Sequence, residues 1–492
     1  MLLIMRRSLF ISTASKLLIP LLVLCVYVGM TTAIDHYFIN RYPDGDQALV
    51  ADMTRWFSAF TVKEPYFFGQ AYLFPLGSYL AVPLVWLGVD PFISNEIVTA
   101  VCLFGPFFLV GTILYLRRNS LLALLCYAAP LLLPSTLLIT GLEPRGLVEP
   151  IGIAAALIGL VGFGLIRSRW ALILVFAVIG FCFGSVPTGI VLLPFAVGAL
   201  IISERLRKAV LPAIAFIGGL AAAQAFTLYY KLHPALVVFP RNESVTFSWG
   251  QLTSNLNNPV IHQATMRILL VLLVPAVVVG ILCLLGFVKV RFTTPRERII
   301  ALVVSVVSVL ALLAVLGSTK LTDSMDTIYF TPDRLLIGFV FFPLGYFFWF
   351  QRTARPWNAR LRSPLTVVAT VLFLALSVVG GYQVSATAQT AEARVAAFRP
   401  VPVVEKSALE ATCKTLQGLQ ETGHYLFLAE ARSDLIAYGC HALYGVDVAQ
   451  QNYDRRSWVV GLWQKDGFKQ QTVQAQELSE IGLEEIPFLP PN

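Results

Sequence analysis

Residues 269–288 read LLVLLVPAVVVGILCLLGFV, from Leu269 to Val288 without a single charge. As a helix, a run of this length covers about 30 Å, the thickness of a bilayer's hydrocarbon core. Lipid offers no hydrogen bonds to an open backbone, so a segment inside it is a helix or a strand of a closed barrel. Barrel strands alternate apolar with polar residues, and this run does not alternate. It reads as a membrane helix. Similar runs lie at 17–34, 95–116, 120–140, 150–166, 170–187, 189–203, 209–229, 299–317, 334–350 and 364–383, which with 266–288 makes eleven. A twelfth, 72–88, is shorter and carries Pro75 and Pro83.

Composition agrees with this reading. The chain has 492 residues, 57% hydrophobic and 13% charged, with a mean hydropathy of +0.74. Soluble domains carry about 25% charged residues, so too little charge is present to cover a soluble surface. The net charge of +8 comes without a basic block or nucleic-acid-binding signature, and no nucleic-acid partner is expected. Cys25, Cys102, Cys126, Cys182 and Cys283 lie in apolar runs and read as small buried hydrophobes. Cys413 and Cys440 lie in the polar tail, where an oxidising compartment would allow them to pair.

The basic residues orient the chain. With a cytoplasmic N-terminus and 72–88 not spanning, the inside loops hold 18 Lys and Arg, and the outside loops before residue 384 hold nine. That is the expected excess of positive charge on the cytoplasmic side. The opposite orientation with 72–88 spanning gives the same count, but puts Arg6, Arg7 and Lys16 outside. The first arrangement is preferred, with 72–88 a re-entrant or surface-lying helix inside a long outer loop, 35–94. Of the 15 Asp and Glu before residue 384, only Glu204 and Glu297 then fall inside. The expected fold is an all-α polytopic membrane domain over 1–383 followed by a small extracytoplasmic α/β domain over 384–492. In that tail Tyr425 to Leu428 reads as a strand and Arg432 to Tyr438 as a helix.

The outer loops carry the candidate chemistry. The first contains Tyr42-Pro43-Asp44-Gly45-Asp46-Gln47, then an apolar stripe of Leu49, Val50, Met53, Trp56, Phe57 and Phe60 at helical spacing. Asp52, Thr54 and Arg55 fall off the stripe, which predicts a helix lying in the membrane interface. Asp46 at its N-terminus is held ionised by the helix dipole. It is either an ordinary cap or a general base or divalent-cation ligand. The second outer loop puts Glu143, Arg145 and Glu149 between two spans. These form a structural clamp, or Glu149 is a second carboxylate facing Asp46 across a cavity. Arg334 opens a late span, and either snorkels to the head groups or holds a lipid-linked phosphate. The segment Tyr66-Phe67-Phe68-Gly69-Gln70-Ala71-Tyr72 suits an interfacial aromatic belt or a sugar-contacting surface. No GxxxxGK[ST], HExxH or GxSxG motif is present, so nucleotide-driven chemistry is not expected.

These motifs, in this order, resemble the GT-C glycosyltransferases, membrane enzymes that use polyprenyl-phosphate-linked sugars. The bacterial protein-mannosyltransferase and aminoarabinose-transferase branch is most similar. Its Asp-Glu-Ala motif matches Asp46-Gln47-Ala48, its aromatic Gly-Gln segment matches Phe67 to Tyr72, its Arg-Gly-x-x-Glu segment matches Arg145 to Glu149, and its late Arg-Tyr-Leu matches Arg334-Leu335-Leu336. Gln47 replaces the usual Glu, and Gly77-Ser78 stand where an acid is common. The resemblance implies transfer of a sugar, with inversion, from a polyprenyl-phosphate donor to a glycan, lipid or protein acceptor outside a bacterial inner membrane. It implies Asp46, with Asp44 and Glu149, as the catalytic acids. Arg145, Arg334, Gln70, Tyr72 and Lys320 become donor-binding candidates, and Asp46 and Glu149 candidate ligands of Mg or Mn. The competing readings are a transporter or lipid-handling protein, and a non-catalytic scaffold of envelope assembly.

Overall fold

The computed structural model describes residues 2–35, 39, 45–60, 65–66, 73–117, 119–133, 135–166, 168–203, 206–233, 247–258, 295–318 and 336–345, a few positions between 371 and 389, and three short strands in the tail. These residues are mostly helical. In chain order the helices are α1 (Leu2–Ile34), α2 (Gly45–Ser58), α3 (Leu76–Trp86), α4 (Pro91–Leu116), α5 (Ser120–Ala128), α6 (Ser135–Leu142), α7 (Val148–Gly162), α8 (Arg169–Ser185), α9 (Leu193–Ser203), α10 (Leu206–Ala223), α11 (Ala225–Leu232), α12 (Trp249–Asn257) and α13 (Pro295–Leu316).

Prolines cut the apolar runs into shorter pieces than their hydropathy alone predicts. A proline lacks an N–H and crowds the carbonyl four residues back. The run 120–140 is therefore α5, a 3-10 turn at Ala129–Leu132 that contains Pro130, and α6. The run 189–203 begins as a 3-10 turn, Pro187–Leu192, before α9. The run 266–288 lies outside the described residues.

Side-chain contacts fix the helix directions. Tyr27 of α1 stacks on Phe104 of α4 with ring centroids 4.5 Å apart, and Asp35 just after α1 interacts electrostatically with Glu96 near the start of α4. Position falls along α1 as it rises along α4, so the two are antiparallel. Helices α4 and α7 are parallel: Thr99 meets Glu149, Gly152 abuts the Cys102 carbonyl, and at the far end Arg117 donates to the Phe163 carbonyl at 2.9 Å. Helices α8 and α10 are parallel too, with Gly180 against Phe216 and Gly184 against Leu220. Glycine at these crossings lets backbones touch, the usual device where lipid provides no hydrophobic drive between helices.

The end of α1 and the starts of α4 and α7 thus gather at one end of the bundle, here called the loop end. The Phe74 N–H donates to the Ser185 carbonyl at 3.4 Å, which brings the end of α8 there as well. Helix α3 has 11 residues, about 16 Å of helix at 1.5 Å per residue, against a core of about 30 Å. Since α1 arrives and α4 departs at the same end, α3 does not cross the bundle.

The surface is apolar along whole helix faces. Leu21, Leu24 and Val28 of α1, Val210, Ile214 and Ile217 of α10, and Val303, Val306 and Leu310 of α13 are all exposed at helical spacing. Stripes of this kind mark surfaces that contact a membrane or another protein. Pro91–Leu116, and Ala209–Leu232 across the joint at Gln224, are each long and apolar enough to cross a membrane. In the tail, β1 (His424–Phe427), β2 (Ser457–Gln464) and β3 (Gly467–Gln474) pair antiparallel in that order. Residues 432–438, Cys413, Cys440 and most of the expected α/β domain lie outside the described residues.

Candidate functional site

Among the described residues, many of the buried polar side chains gather at the loop end. Helix α2 forms where the sequence places it, with Asp46 in its first turn and Leu49, Val50, Met53 and Phe57 buried. Its other face departs from expectation. Asp52 is 3% exposed and Thr54 fully buried, so the polar side of α2 is packed inside the protein and does not face water at a membrane surface. The reason is a set of hydrogen bonds to α3 and α4. Thr54 Oγ1 pairs with the Asn95 side chain, whose Nδ2 reaches it at 2.8 Å, and Ser78 Oγ donates to the Val50 carbonyl at 3.2 Å. Asn95 Nδ2 also donates to the Pro91 carbonyl at 2.7 Å. Phe57 stacks on Tyr79 at 4.2 Å, and burial pushes the Tyr79 phenol up to about 12, so it remains a donor to the Pro65 carbonyl at 2.5 Å.

Glu149 sits in the first turn of α7 and is 1% exposed. Its Oε1 accepts from Thr99 Oγ1 at 2.5 Å, and its Oε2 is buried. Gly77 makes room for it: a Cβ there would lie 2.8 Å from Glu149 Oε1. Glu149 therefore rests on the first turn of α3, and Ser78 in that turn bonds Val50, one helical turn after Asp46. In the second loop Arg145 pairs with Glu143 at 3.2 Å, and both are about 2% exposed, as the clamp reading has it. Gly146 takes a positive φ of 74°, which turns the loop from that pair into α7.

Two further carboxyls went unnoticed in the sequence, Asp35 and Glu96. Glu96 is 3% exposed, and among the described residues neither Asp35 Oδ1 nor Glu96 Oε1, both buried atoms, meets a hydrogen-bond partner. Burial pushes Asp35 from the usual carboxylate range up to about 7. Their sequence signal was an acid at the tail of one apolar run and another at the head of the next. An aromatic cluster completes the loop end: Tyr66 lies 5.9 Å from Phe74, 5.9 Å from Phe226 and 5.3 Å from Tyr229.

Of the residues singled out in the sequence, Asp46 is half-buried at the N-terminus of α2, while Arg145 and Glu149 are buried. Asp44, Gln70, Tyr72, Lys320 and Arg334 lie outside the described residues. Among the described residues no group of three His, Cys, Asp or Glu side chains comes together. Compared with known protein families, curated proteins and solved structures, the chain matches none.

Proposed function

We propose that this protein is an integral membrane glycosyltransferase that moves a sugar from a polyprenyl-phosphate donor to an acceptor at the extracytoplasmic face, with the loop end as its active end. The observation that carries the reading is Glu149, a carboxyl buried at the helix ends, held by Thr99 and resting on the same turn of α3 as the helix that begins at Asp46. A buried, oriented carboxyl beside a helix N-terminus is an arrangement suited to general-base or positioning work. The ordered resemblance to GT-C enzymes in the sequence supports the same reading.

Asp46 takes the proton of the acceptor hydroxyl, whose oxygen attacks the anomeric carbon. The bond from that carbon to the phosphate oxygen breaks with inversion, and polyprenyl phosphate leaves with the bonding pair. Glu149 orients the acceptor, and Arg145 and Arg334 offset the charge on the departing phosphate. The donor carries its own activation, in keeping with a sequence that lacks nucleotide-binding motifs.

The test is release of polyprenyl phosphate by the purified full-length protein in lipid nanodiscs, given polyprenyl-phosphate hexoses and pentoses. Turnover by the native protein and its loss in Asp46→Asn and Glu149→Gln are expected. Native turnover that persists in both variants would refute the assigned roles, and folded protein that turns over no donor would leave the scaffold reading ahead. A transporter reading draws on one observation, the buried Asp35 and Glu96 carboxyls, since ionisable groups at membrane depth often mark ion paths. Donor-independent solute uptake into proteoliposomes would favour it.

A further inference from the structure

Helix α12 takes no part in the reaction above, and it is fastened to the end of α13. The Ser248 N–H donates to the Gly317 carbonyl at 3.0 Å, and Asn255 Nδ2 donates to the Leu316 carbonyl at 2.7 Å. A helix leaves the carbonyls of its last turn without intrahelical donors, and α12 supplies donors to α13 there. Phe247 pairs with Ser318 in a β-bridge, and Gly317 lets the joint close because the Phe247 ring occupies the place of a Cβ. Ser248 also caps α12 by accepting from the Gln251 N–H at 2.9 Å.

Around its axis, at about 100° per residue, α12 divides into three sectors. Leu252 and Asn255 are buried and face the protein. Gly250, Thr253, Ser254 and Asn257 are exposed, and none of them is apolar and large. Between these two sectors runs a narrow apolar line, Trp249 and Leu256, two turns apart and 71% and 36% exposed. Phe247, 48% exposed, extends it, with its ring meeting Trp249 edge-on at 5.2 Å. A helix with an exposed apolar line bordering its polar face is built to lie at a membrane surface, and tryptophan is enriched at that depth.

The place of α12 on α13 says what covers this line. Helix α13 has 22 residues, about 33 Å of helix against a hydrocarbon core of about 30 Å. Its exposed stripe of Val303, Val306 and Leu310 faces outward from the bundle. The last turn of a helix this long lies near one boundary of the core, and that is the turn α12 grips. Three side chains are also too few for a protein partner, since a stable interface takes about 20–30 residues a side.

We propose that α12 is a membrane-interface anchor. Phe247, Trp249 and Leu256 insert among the lipid head groups and the upper acyl chains, and Ser248 and Asn255 pass that hold to α13, fixing the depth of its end. The inference rests on the membrane reading of α13 and is independent of sugar transfer.

The experiment uses the full-length protein in phosphatidylcholine nanodiscs and reads tryptophan emission. The chain has eight tryptophans, so the Trp249 component is taken as the difference between the native protein and W249F. It is quenched either with lipid brominated high on the acyl chains or with aqueous iodide. L310W, which places a ring in the exposed stripe of α13, is measured beside it with lipid brominated deep in the chains. The Trp249 component should lose most of its intensity to the brominated lipid and little to iodide, and the emission added by L310W should be quenched by the deep bromines. Quenching of Trp249 by iodide alone would place it in water, and quenching by neither would place it under protein; each overturns the proposal. A quenched L310W beside a Trp249 untouched by lipid sinks the anchor alone, whereas loss of lipid quenching in both would take the membrane reading of α13 with it.

Discussion

Gly77→Ala tests the seat of Glu149 most sharply. A Cβ on Gly77 would lie 2.8 Å from Glu149 Oε1, 2.9 Å from Cδ and 3.1 Å from Cγ. Comfortable carbon contacts begin at about 3.5 Å, so the carboxyl must retreat by roughly 0.5 Å or more, and Thr99 holds it at 2.5 Å from the other side. Overpacking of this kind costs about 1–3 kcal/mol, and any weakening of the Thr99 hydrogen bond adds to it. Glu149→Ala removes all three crowded atoms. In that background the new methyl group meets open space, and an alanine in a helix is favoured over glycine by up to about 1 kcal/mol. The expectation is a change of sign: Gly77→Ala destabilises the native protein and is neutral or stabilising when Glu149 is already alanine. Thermal unfolding of the four proteins in one detergent measures the cycle. An equal cost of Gly77→Ala in both backgrounds would refute the placement of Glu149 against α3.

Thr99→Val keeps the shape of the side chain and deletes the donor to Glu149. It should cost about 1–3 kcal/mol, the range for a lost hydrogen bond to a buried carboxyl, read as a lower Tm; an unchanged Tm would mean that Thr99 does not hold the group. The sidedness is open to labelling, because Phe60 at the loop end and Trp170 at the start of α8 are 80% and 78% exposed. A membrane-impermeant maleimide should label Phe60→Cys in intact cells, and Trp170→Cys only after the membrane is opened. The reverse pattern would place the loop end in the cytoplasm.

The broad architecture was legible because lipid imposes one simple demand. A run such as 95–116 has nowhere to put its side chains except against other helices or lipid, and α4 follows it closely, adding Pro91 and the Asp90 cap at its start. The buried side of α2 was not legible. Thr54, Ser78 and Asn95 look polar and surface-bound one at a time, and become interior only through bonds spanning 24 and 41 residues of chain. Asp35 and Glu96 were hidden for the same reason, since only the register of α1 on α4 brings them together. Glu149 stood out because an acid at the mouth of an apolar run is costly wherever it goes. The glycine that accommodates it looked in the sequence like a missing acid. In the fold, Gly77 is the space that the Glu149 carboxyl fills.

The central claim is that the loop end receives a polyprenyl-phosphate lipid, and its location in the bound state is the most direct measurement. A cryo-electron microscopy map of the full-length protein in nanodiscs with added polyprenyl phosphate should show the phosphate at the loop end, beside Glu149 and the first turn of α2. A phosphate bound at the opposite end, near Arg117 and Phe163, would contradict the account.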